Sequence, residues 1–366
     1  MTRLRWWPAA LLLLALFSLT GCWDYSDSDE RAFALAVAVD REGPGYRVDI
    51  QVPLFGSPEQ QPAQRPYRVL AGRGPTPGAA LAETHTLLSR DLELGHVKLI
   101  LISERLARQG LGPLSLLWRE KRIPGIAYVG ITRQQPGRLL AVKDRDGVMP
   151  AIRAYRAFKP THNTMAHFWP TERWRVFSKL PDPGRDMAIA GLDRKDGALQ
   201  PSGAAVFRHD KLVAWLSPAE VRLLNWLTGR RYLDYLVIPF RSGRDTLAVQ
   251  GGNSRISASD VGGGQLLFTV RLRLWGPLRD GDPATVVEAE QAAALQARQE
   301  ILALLERTQA LRVDLVGFTD ALRLRYPRHA ALASPERWRR ALATARLDVS
   351  VRCDILTAGY QRLPGR

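Results

Sequence analysis

Apolar, β-rich runs alternate with turns and short helical segments over residues 32–132. Residues 32–40 (AFALAVAVD) and 46–54 (YRVDIQVPL) are two such runs, and the sequence REGPG between them is typical of a turn. We predict that the two runs pair as a β-hairpin. Further strands are predicted at 67–70, 95–102 and 126–132, with helices at 77–90, 104–109 and 114–119. This mixture predicts an α+β or mixed α/β fold in which helices pack on a mixed sheet.

The second half of the chain shows the same mixture. Strands are predicted at 203–207 and 211–216, and Ser217, Pro218 and Glu220 form a capping box that predicts the start of a helix. Apolar alternation then predicts four more strands, at 245–250, 253–259, 265–275 and 346–356. Helical periodicity predicts one long amphipathic helix at 283–311. Leu295, Ile301, Leu302 and Leu305 are predicted to face inward on that helix.

These patterns divide the chain into three domains behind a processed N-terminus. We predict a signal peptide at 1–21, a lipidated tether at 22–31, an N-terminal mixed α/β domain at 32–200, a small middle domain at 201–240 and a C-terminal domain at 241–366. Residues 145–200 are rich in proline and in basic and aromatic residues, so this part of the first domain is predicted to be irregular.

The first 22 residues have the order of a bacterial lipoprotein signal. Arg3 and Arg5 precede a short leucine-rich run, which ends in the sequence LTGC at Cys22. Small residues before the cysteine suit a signal peptidase, and the thiol then accepts a diacylglyceryl group. An ordinary secretory signal with a chance cysteine is the alternative. The order of these features predicts lipidation at Cys22. Two or more acyl chains would then anchor the protein stably, where one would be marginal.

The charge of the chain limits the classes of partner. The sequence has 52 Lys+Arg against 36 Asp+Glu, a formal charge of +16, and removal of Arg3 and Arg5 with the signal lowers this charge to +14. Nucleic acid is not a predicted partner, because a lipid-tethered chain lies outside the cytoplasmic membrane and its basic residues are scattered. An anionic membrane surface or an acidic protein fits the charge instead. Cys353, in an alternating strand pattern, is predicted to be structural.

No motif predicts catalysis, a metal or a cofactor. The glycine-rich run 72–78 lacks the lysine of a phosphate-binding loop, and Pro75 and Pro77 remove two amide donors, so a helix-entry turn is predicted there. His162 and His167 are five residues apart, which does not place them on one helical face as metal ligands. No Gly-x-Ser-x-Gly nucleophile motif occurs.

Four blocks follow one another in a fixed order along the chain. They are Cys22-Trp23-Asp24 followed by residues 36–40 (AVAVD), residues 95–107 (GHVKLI with SE and LA), residues 203–227 (GAAVF, DKLV, WL and WL), and residues 313–338 (VDLVGF, Leu322, Tyr326-Pro327 and Trp338). In this order they resemble the Ger(x)C family, the lipoprotein C subunits of nutrient germinant receptors in endospore-forming bacteria. The departures from the family pattern are alanines in the first strand, Ala214 before Trp215 where a glycine is typical, and a poor match over 145–200.

The resemblance implies a three-domain, mixed α/β lipoprotein without known catalysis. It implies a location on the outer face of the inner spore membrane, beside an integral-membrane A subunit and a transporter-like B subunit. A lipid-anchored solute-binding protein of a transporter is the alternative, and it predicts a two-lobed fold with a ligand cleft. An envelope hydrolase is a third possibility, for which the sequence offers no nucleophile and base.

A small set of residues is singled out for a partner-docking or structural role. Trp23 and Asp24 follow the lipidated cysteine, and His96 precedes a buried strand, where packing or hydrogen bonding is expected. Trp215 and Trp226 flank the capping box, and core packing or a partner-facing aromatic patch are both open for them. Asp314, Gly317 and Phe318 are predicted to shape the junction after the long helix, with Gly317 permitting a positive φ.

Overall fold

Two large β-sheets and one two-stranded sheet, with packed helices, make up the computed structural model. It describes the residues 30–54, 67–144, 146–159, 165–182, 184–230, 233–240, 243–279, 286–358 and 361–362. The signal peptide and Cys22, Trp23 and Asp24 therefore lie outside the described residues. The predicted α+β class is confirmed, because strands and helices are interleaved along the whole described chain.

An eight-stranded sheet occupies the first part of the chain, with the spatial order β10-β9-β8-β7-β6-β2-β3-β4. A separate pair, β1 and β5, runs parallel beside it. The strands are β1 (Arg31–Phe33), β2 (Ala36–Glu42), β3 (Gly45–Pro53), β4 (Tyr67–Gly74), β5 (Asp91–Glu93), β6 (Leu99–Ser103), β7 (Tyr128–Thr132), β8 (Met187–Lys195), β9 (Ala198–Arg208) and β10 (Lys211–Leu216).

The centre of this sheet is parallel and its margins are antiparallel. Strands β2, β6, β7 and β8 run parallel to their neighbours in that series. The predicted hairpin is confirmed, since β2 pairs antiparallel with β3 up to the register Glu42↔Gly45. All five residues of β6 and of β7 are buried, as expected for parallel strands that helices cover on both faces.

Helices cover both faces of the large sheet. Leucines and alanines of α1, α2 and α3 pack with Ile100 and Ile102 on one face, while α4 and α5 pack with Leu99 and Leu101 on the other. Opposite faces receive alternate residues because successive strand side chains point to opposite sides. The helices are α1 (Pro77–Thr86), α2 (Glu104–Gln109), α3 (Ser115–Arg119), α4 (Pro136–Leu140), α5 (Pro150–Phe158), α6 (Arg173–Lys179) and α7 (Pro218–Leu227).

The second sheet has six strands in the order β11-β12-β14-β15-β16, with β13 also paired to β14. Its strands and helices are β11 (Asp234–Phe240), β12 (Gly243–Val249), β13 (Gly251–Asp260), β14 (Leu266–Leu278), α8 (Val286–Ala310), α9 (Phe318–Arg325), α10 (Pro335–Thr344), β15 (Arg346–Ala358) and β16 (Gln361–Arg362). Within the described residues, helices cover one face only: Leu266, Phe268 and Val270 on β14 are buried, while Arg271 and Arg273 are exposed.

The core of the second sheet continues into the large sheet. Ala204, Val206 and Leu216 from β9 and β10 belong to the same apolar cluster as α7 and the inner face of β14. Helix α7 begins at the predicted capping box, in which Ser217 and Glu220 cap each other's backbone. This helix therefore lies between the two sheets and contacts both.

One sequence expectation meets a different structure, and another stays a prediction. Residues 145–200 were expected to be irregular, and the structure corrects this, since they hold α5, α6 and β8, whose short apolar stretches are buried against the sheet. Residues 201–240 contribute β9 and β10 to the large sheet and β11 to the second. Hydrogen bonding does not set this segment apart, and the division into three domains stays a prediction.

The long helix α8 buries a stripe of small residues, Ala289, Ala293 and Ala297, followed by Ile301 and Leu305. The prediction that Leu295 faces inward is wrong, since its side chain is 56% exposed. At 100° per residue, Leu295 lies opposite Ala293 and Ala297 on the helix. Among the described helices, none has the length and apolar character to cross a membrane.

Substitution of Leu305 tests this orientation, with Leu295 on the same helix as the matched control. Leu305 is fully buried, so Leu305→Ala removes apolar contacts, leaves a cavity and should lower the free energy of unfolding by about 2–5 kcal/mol. Leu295→Ala should change it by less than about 0.5 kcal/mol. Denaturant unfolding of both variants is the measurement, and equal losses would contradict the assigned faces.

Candidate functional site

The two sheets meet at a polar junction whose centre is the Asp186 carboxylate. Asp186 is 4% exposed and immediately precedes β8. One carboxylate oxygen accepts a hydrogen bond from the backbone N–H of His209, in the β9–β10 turn, at 3.0 Å. The other accepts from the backbone N–H of Asp314, after α8, at 3.0 Å. A single buried side chain thus connects a turn of the large sheet to the loop between α8 and α9.

Burial of the Asp186 carboxylate is only partly compensated by its hydrogen bonds and by the nearby Arg339. Burial raises the pKa of the Asp186 carboxyl above its ordinary value, although its two backbone hydrogen bonds and the nearby Arg339 oppose this shift. Arg339 lies 3.9 Å from the carboxylate. The ammonium group of Lys179 donates to the backbone carbonyl of Asp186 at 3.0 Å, and burial lowers the pKa of Lys179. The junction is therefore a desolvated polar site.

Asp314 organises the loop that follows α8. Its carboxylate accepts hydrogen bonds from the backbone N–H groups of Val316, Gly317, Phe318 and Thr319 and from the Thr319 hydroxyl, at 2.7–3.2 Å. These donors include the first N–H groups of α9, which have no partner within the helix. Gly317 precedes α9 with φ +92°, a left-handed conformation that favours glycine. The predicted junction of Asp314, Gly317 and Phe318 is brought together in the structure.

Phe318 anchors this loop to the core of the second sheet. Its ring is 2% exposed and stacks on Phe268 of β14, with ring centroids 4.4 Å apart. Trp338 of α10 meets the same Phe268 ring edge-on at 6.2 Å. Because Phe318 directly follows Gly317, the polar contacts of Asp314 and the apolar contacts of Phe318 fix the same short segment.

The two singled-out tryptophans have different surroundings. Trp226 is 4% exposed and lies in the apolar cluster that joins the sheets. Trp215 is half-buried, its indole N–H donates to Glu104 at 3.1 Å, and the Arg133 guanidinium lies 3.7 Å from its ring centroid. This stacking is a cation–π interaction.

Arg307 forms a second connection between α8 and the large sheet. Its guanidinium donates to the backbone carbonyl of Trp215 at 2.9 Å and pairs with Glu220 of the capping box. Burial and ion pairing act in opposite directions on Glu220: burial alone would raise its pKa, whereas hydrogen bonds from Arg307 and Ser217 hold it below its ordinary value. The capping-box residue Glu220 therefore also takes part in the contact between α8 and the large sheet.

His96 lies at an exposed position before β6, and its ring meets Phe33 edge-on with centroids 4.7 Å apart. This ring contact is local and does not belong to the junction. Trp23, Asp24 and Cys22 fall outside the described residues, so their predicted roles stay predictions.

A cleft of about 560 Å³ opens between the β8–β9 hairpin, α5 and α7. Asp234 is among its lining residues and has one carboxylate oxygen without a hydrogen-bond partner, 3.6 Å from the guanidinium of Arg222. Burial raises the pKa of Asp234 to about 6, and the charge of Glu300 adds to this effect while Arg222 opposes it. Glu300 itself pairs with Arg222 at 2.6 Å.

The described residues hold no group of three or more His, Cys, Asp or Glu side chains placed to bind a metal. Burial, with the nearby Asp354 charge, raises the pKa of the Cys353 thiol to about 12, so this thiol is a poor nucleophile. Thr76 caps α1 through the N–H of Ala79 at 3.1 Å, which confirms a helix-entry turn there. His162 is outside the described residues, and burial lowers the pKa of His167.

Asp186 and Arg307 are the junction residues that sequence reasoning missed. Asp186 lies between α6 and β8, near other charged residues, and its contact with Asp314 spans 128 positions of sequence. No local pattern marks such a pair. Arg307 reads in sequence as a residue of the solvated face of α8, although its pairing with a capping-box glutamate is specific.

Comparison with known proteins assigns both halves of the chain to spore germination. Residues 24–193 match the family "Spore germination protein N-terminal domain", and residues 202–359 match "Spore germination B3/ GerAC like, C-terminal". The class is therefore that of spore germination proteins with two successive family domains. More particularly, the chain belongs to the Ger(x)C family, as its sequence resemblance predicts.

Individual relatives are similar to this chain along most of their length. The chain is 24% identical to the putative spore germination protein YfkR of Bacillus subtilis (strain 168), over 86% of this chain and 87% of that protein. It is 22% identical to spore germination protein KC of the same organism, over 87% of each chain. The crystal structure of the GerBC protein has the same fold, with a TM-score of 0.59 and 15% identity over 87% of this chain and 96% of that one.

Substitution of Asp314 tests the loop that it organises. Asp314→Ala removes an acceptor of five hydrogen bonds, including those of the first α9 amides, and should lower the free energy of unfolding by about 2–3 kcal/mol. Asp320→Ala, an exposed carboxylate on the first turn of α9, is the matched control and should cost about 0.5 kcal/mol. Denaturant unfolding measures both, and equal effects would refute the role of Asp314.

The buried Asp234 predicts a pH dependence of stability. Its folded pKa of about 6 lies above the ordinary value of 3.8, so the folded chain holds a proton that the unfolded chain releases. Its stabilising contribution is full below pH 4 and is lost as the pH rises through 6. Between pH 4 and pH 7, the free energy of unfolding of Asp234→Asn should therefore rise relative to wild type by about 2 kcal/mol.

Denaturant unfolding at several pH values measures this difference. Asp348→Asn, at an exposed strand position, controls for the loss of one negative charge. A difference between Asp234→Asn and wild type that stays constant across this range would contradict the account of Asp234.

Proposed function

We propose that this chain is the lipid-anchored C subunit of a nutrient germinant receptor, acting without catalysis beside integral-membrane A and B subunits. The observation that carries the proposal is the pair of family matches, which together run from residue 24 to residue 359. These matches begin two residues after Cys22, the cysteine of the lipobox. A diacylglyceryl group on Cys22 would hold the chain at the outer face of the inner spore membrane.

The geometry of the junction supports a role in assembly. The two sheets are tied by Asp186, Asp314 and Arg307 and share one apolar core. A body of this kind transmits or resists force as one unit, because displacing one sheet would expose buried polar groups. A receptor subunit that braces membrane partners needs this property, whereas an enzyme needs a reactive constellation.

A lipid-anchored solute-binding protein is the second candidate, and the cleft beside Asp234 and Arg222 is the observation in its favour. Calorimetric titration of the isolated protein with nutrient germinants separates the two functions. Tight binding of one germinant would favour the solute-binding protein. The receptor-subunit proposal expects no heat of binding without the A and B subunits.

Removal of the lipid-accepting thiol tests the proposal in spores. Cys22→Ala should move the protein from the membrane fraction to the soluble fraction and reduce nutrient-triggered germination, because the acyl chains supply most of the membrane affinity. Cys353→Ala removes the other thiol and should leave fractionation unchanged. Immunoblots of spore fractions and germination assays are the measurements. Normal membrane retention and normal germination of Cys22→Ala would overturn the proposal.

A further inference from the structure

The uncovered face of the second sheet carries four arginines on three neighbouring strands. Arg255 of β13 is directly opposite Arg271 of β14, and Arg273 of β14 is directly opposite Arg352 of β15. All four side chains are exposed. We call these four residues the arginine site. Because Arg271 and Arg273 are two positions apart on one strand, the two opposed pairs lie side by side on one face.

Like charges placed directly opposite each other destabilise a sheet. Only one pair has a neutralising partner: the Asp354 carboxylate accepts hydrogen bonds from Arg273 and from Arg352, the latter at 2.8 Å. Burial alone would raise the pKa of Asp354, and these hydrogen bonds hold it below its ordinary value. Arg255 and Arg271 have no ion-pair partner within the described part of the chain.

The surface between these side chains is concave. A depression of about 340 Å³ is lined by the four arginines together with Asn253 and Ser350, whose side chains can also donate hydrogen bonds. Asn253 is opposite Arg273, and Ser350 is opposite Arg271. The depression is thus surrounded by donors, and Asp354 is the one carboxylate that the arginines contact among the described residues.

We propose that the arginine site binds an oxyanion of the phosphate class. A planar guanidinium donates two parallel N–H groups to a phosphate, and two opposed guanidinium groups suit one phosphate placed between them. Such an anion removes the repulsion between Arg255 and Arg271 and replaces the missing carboxylate. The ligand is either a free phosphate compound or a phosphate group of a lipid headgroup, since the site is open to solvent.

Thermal unfolding at low ionic strength tests the site. Inorganic phosphate should raise the midpoint of the wild-type protein by about 2–4 °C over chloride of equal ionic strength. Arg271→Gln should abolish most of this increase. Arg346→Gln, which removes the same charge at the exposed first residue of β15, is the matched control and should keep the full increase.

A second measurement protects the test against a variant that folds poorly. Without phosphate, Arg255→Gln should unfold at the same temperature as wild type or higher, because repulsion is relieved, and its dissociation constant for phosphate should increase about tenfold. An equal phosphate effect in wild type, Arg271→Gln and Arg255→Gln would overturn the inference. Absence of any phosphate effect together with absence of vesicle binding would also overturn it.

Vesicle sedimentation distinguishes the two sources of phosphate. A chain that begins at Trp23 keeps every described residue and lacks the lipid acceptor. If it sediments with phosphatidylglycerol vesicles but not with phosphatidylcholine vesicles, and if Arg271→Gln reduces this binding about fivefold, the headgroup is the ligand. Response to free phosphate without vesicle binding identifies a soluble ligand. Both results are independent of lipidation and of germination, so this inference and the proposed function can fail separately.

Discussion

A buried carboxylate, Asp186, fixes how the two sheets of this protein meet. It accepts one backbone hydrogen bond from the β9–β10 turn and one from the loop after α8, and both donors lie at partly buried positions. Loss of an acceptor costs more than the bond itself contributes, because each donor keeps its desolvation penalty. Asp314, whose N–H is one of these donors, in turn accepts hydrogen bonds from residues 316–319 at the start of α9. Phe318 in the same segment stacks on Phe268 in the apolar core.

Sequence patterns predicted the features that depend on neighbours in the chain. The hairpin of β2 and β3, the capping box before α7 and the alternation of β14 follow from local turn chemistry and periodicity. Contacts between distant residues were not predictable: Asp314 was singled out from its local sequence, but its partner Asp186 is 128 positions away and no local pattern marks the pair. Leu295 was misplaced because the buried stripe of α8 begins with alanines, whose small side chains give a weak apolar signal against a leucine.

The junction residues likewise divide into those that the local sequence predicts and those that only the folded structure brings together. Asp314, Gly317 and Phe318 were predicted to shape the junction after the long helix, with Gly317 permitting a positive φ. Their partner across the junction appears only in three dimensions. The described structure has an apolar cluster under α7 that both sheets share, and a sheet face that bears four exposed arginines.

Hydrogen exchange of the Asp186→Ala protein tests the central claim that this carboxylate holds the two sheets together. The backbone amides of His209 and Asp314 should exchange at least about tenfold faster than in wild type, because each loses its acceptor. Amides of β6, at the centre of the large sheet, should keep their protection. Unchanged exchange at His209 and Asp314 would show that the junction is held by other contacts, and it would contradict this account.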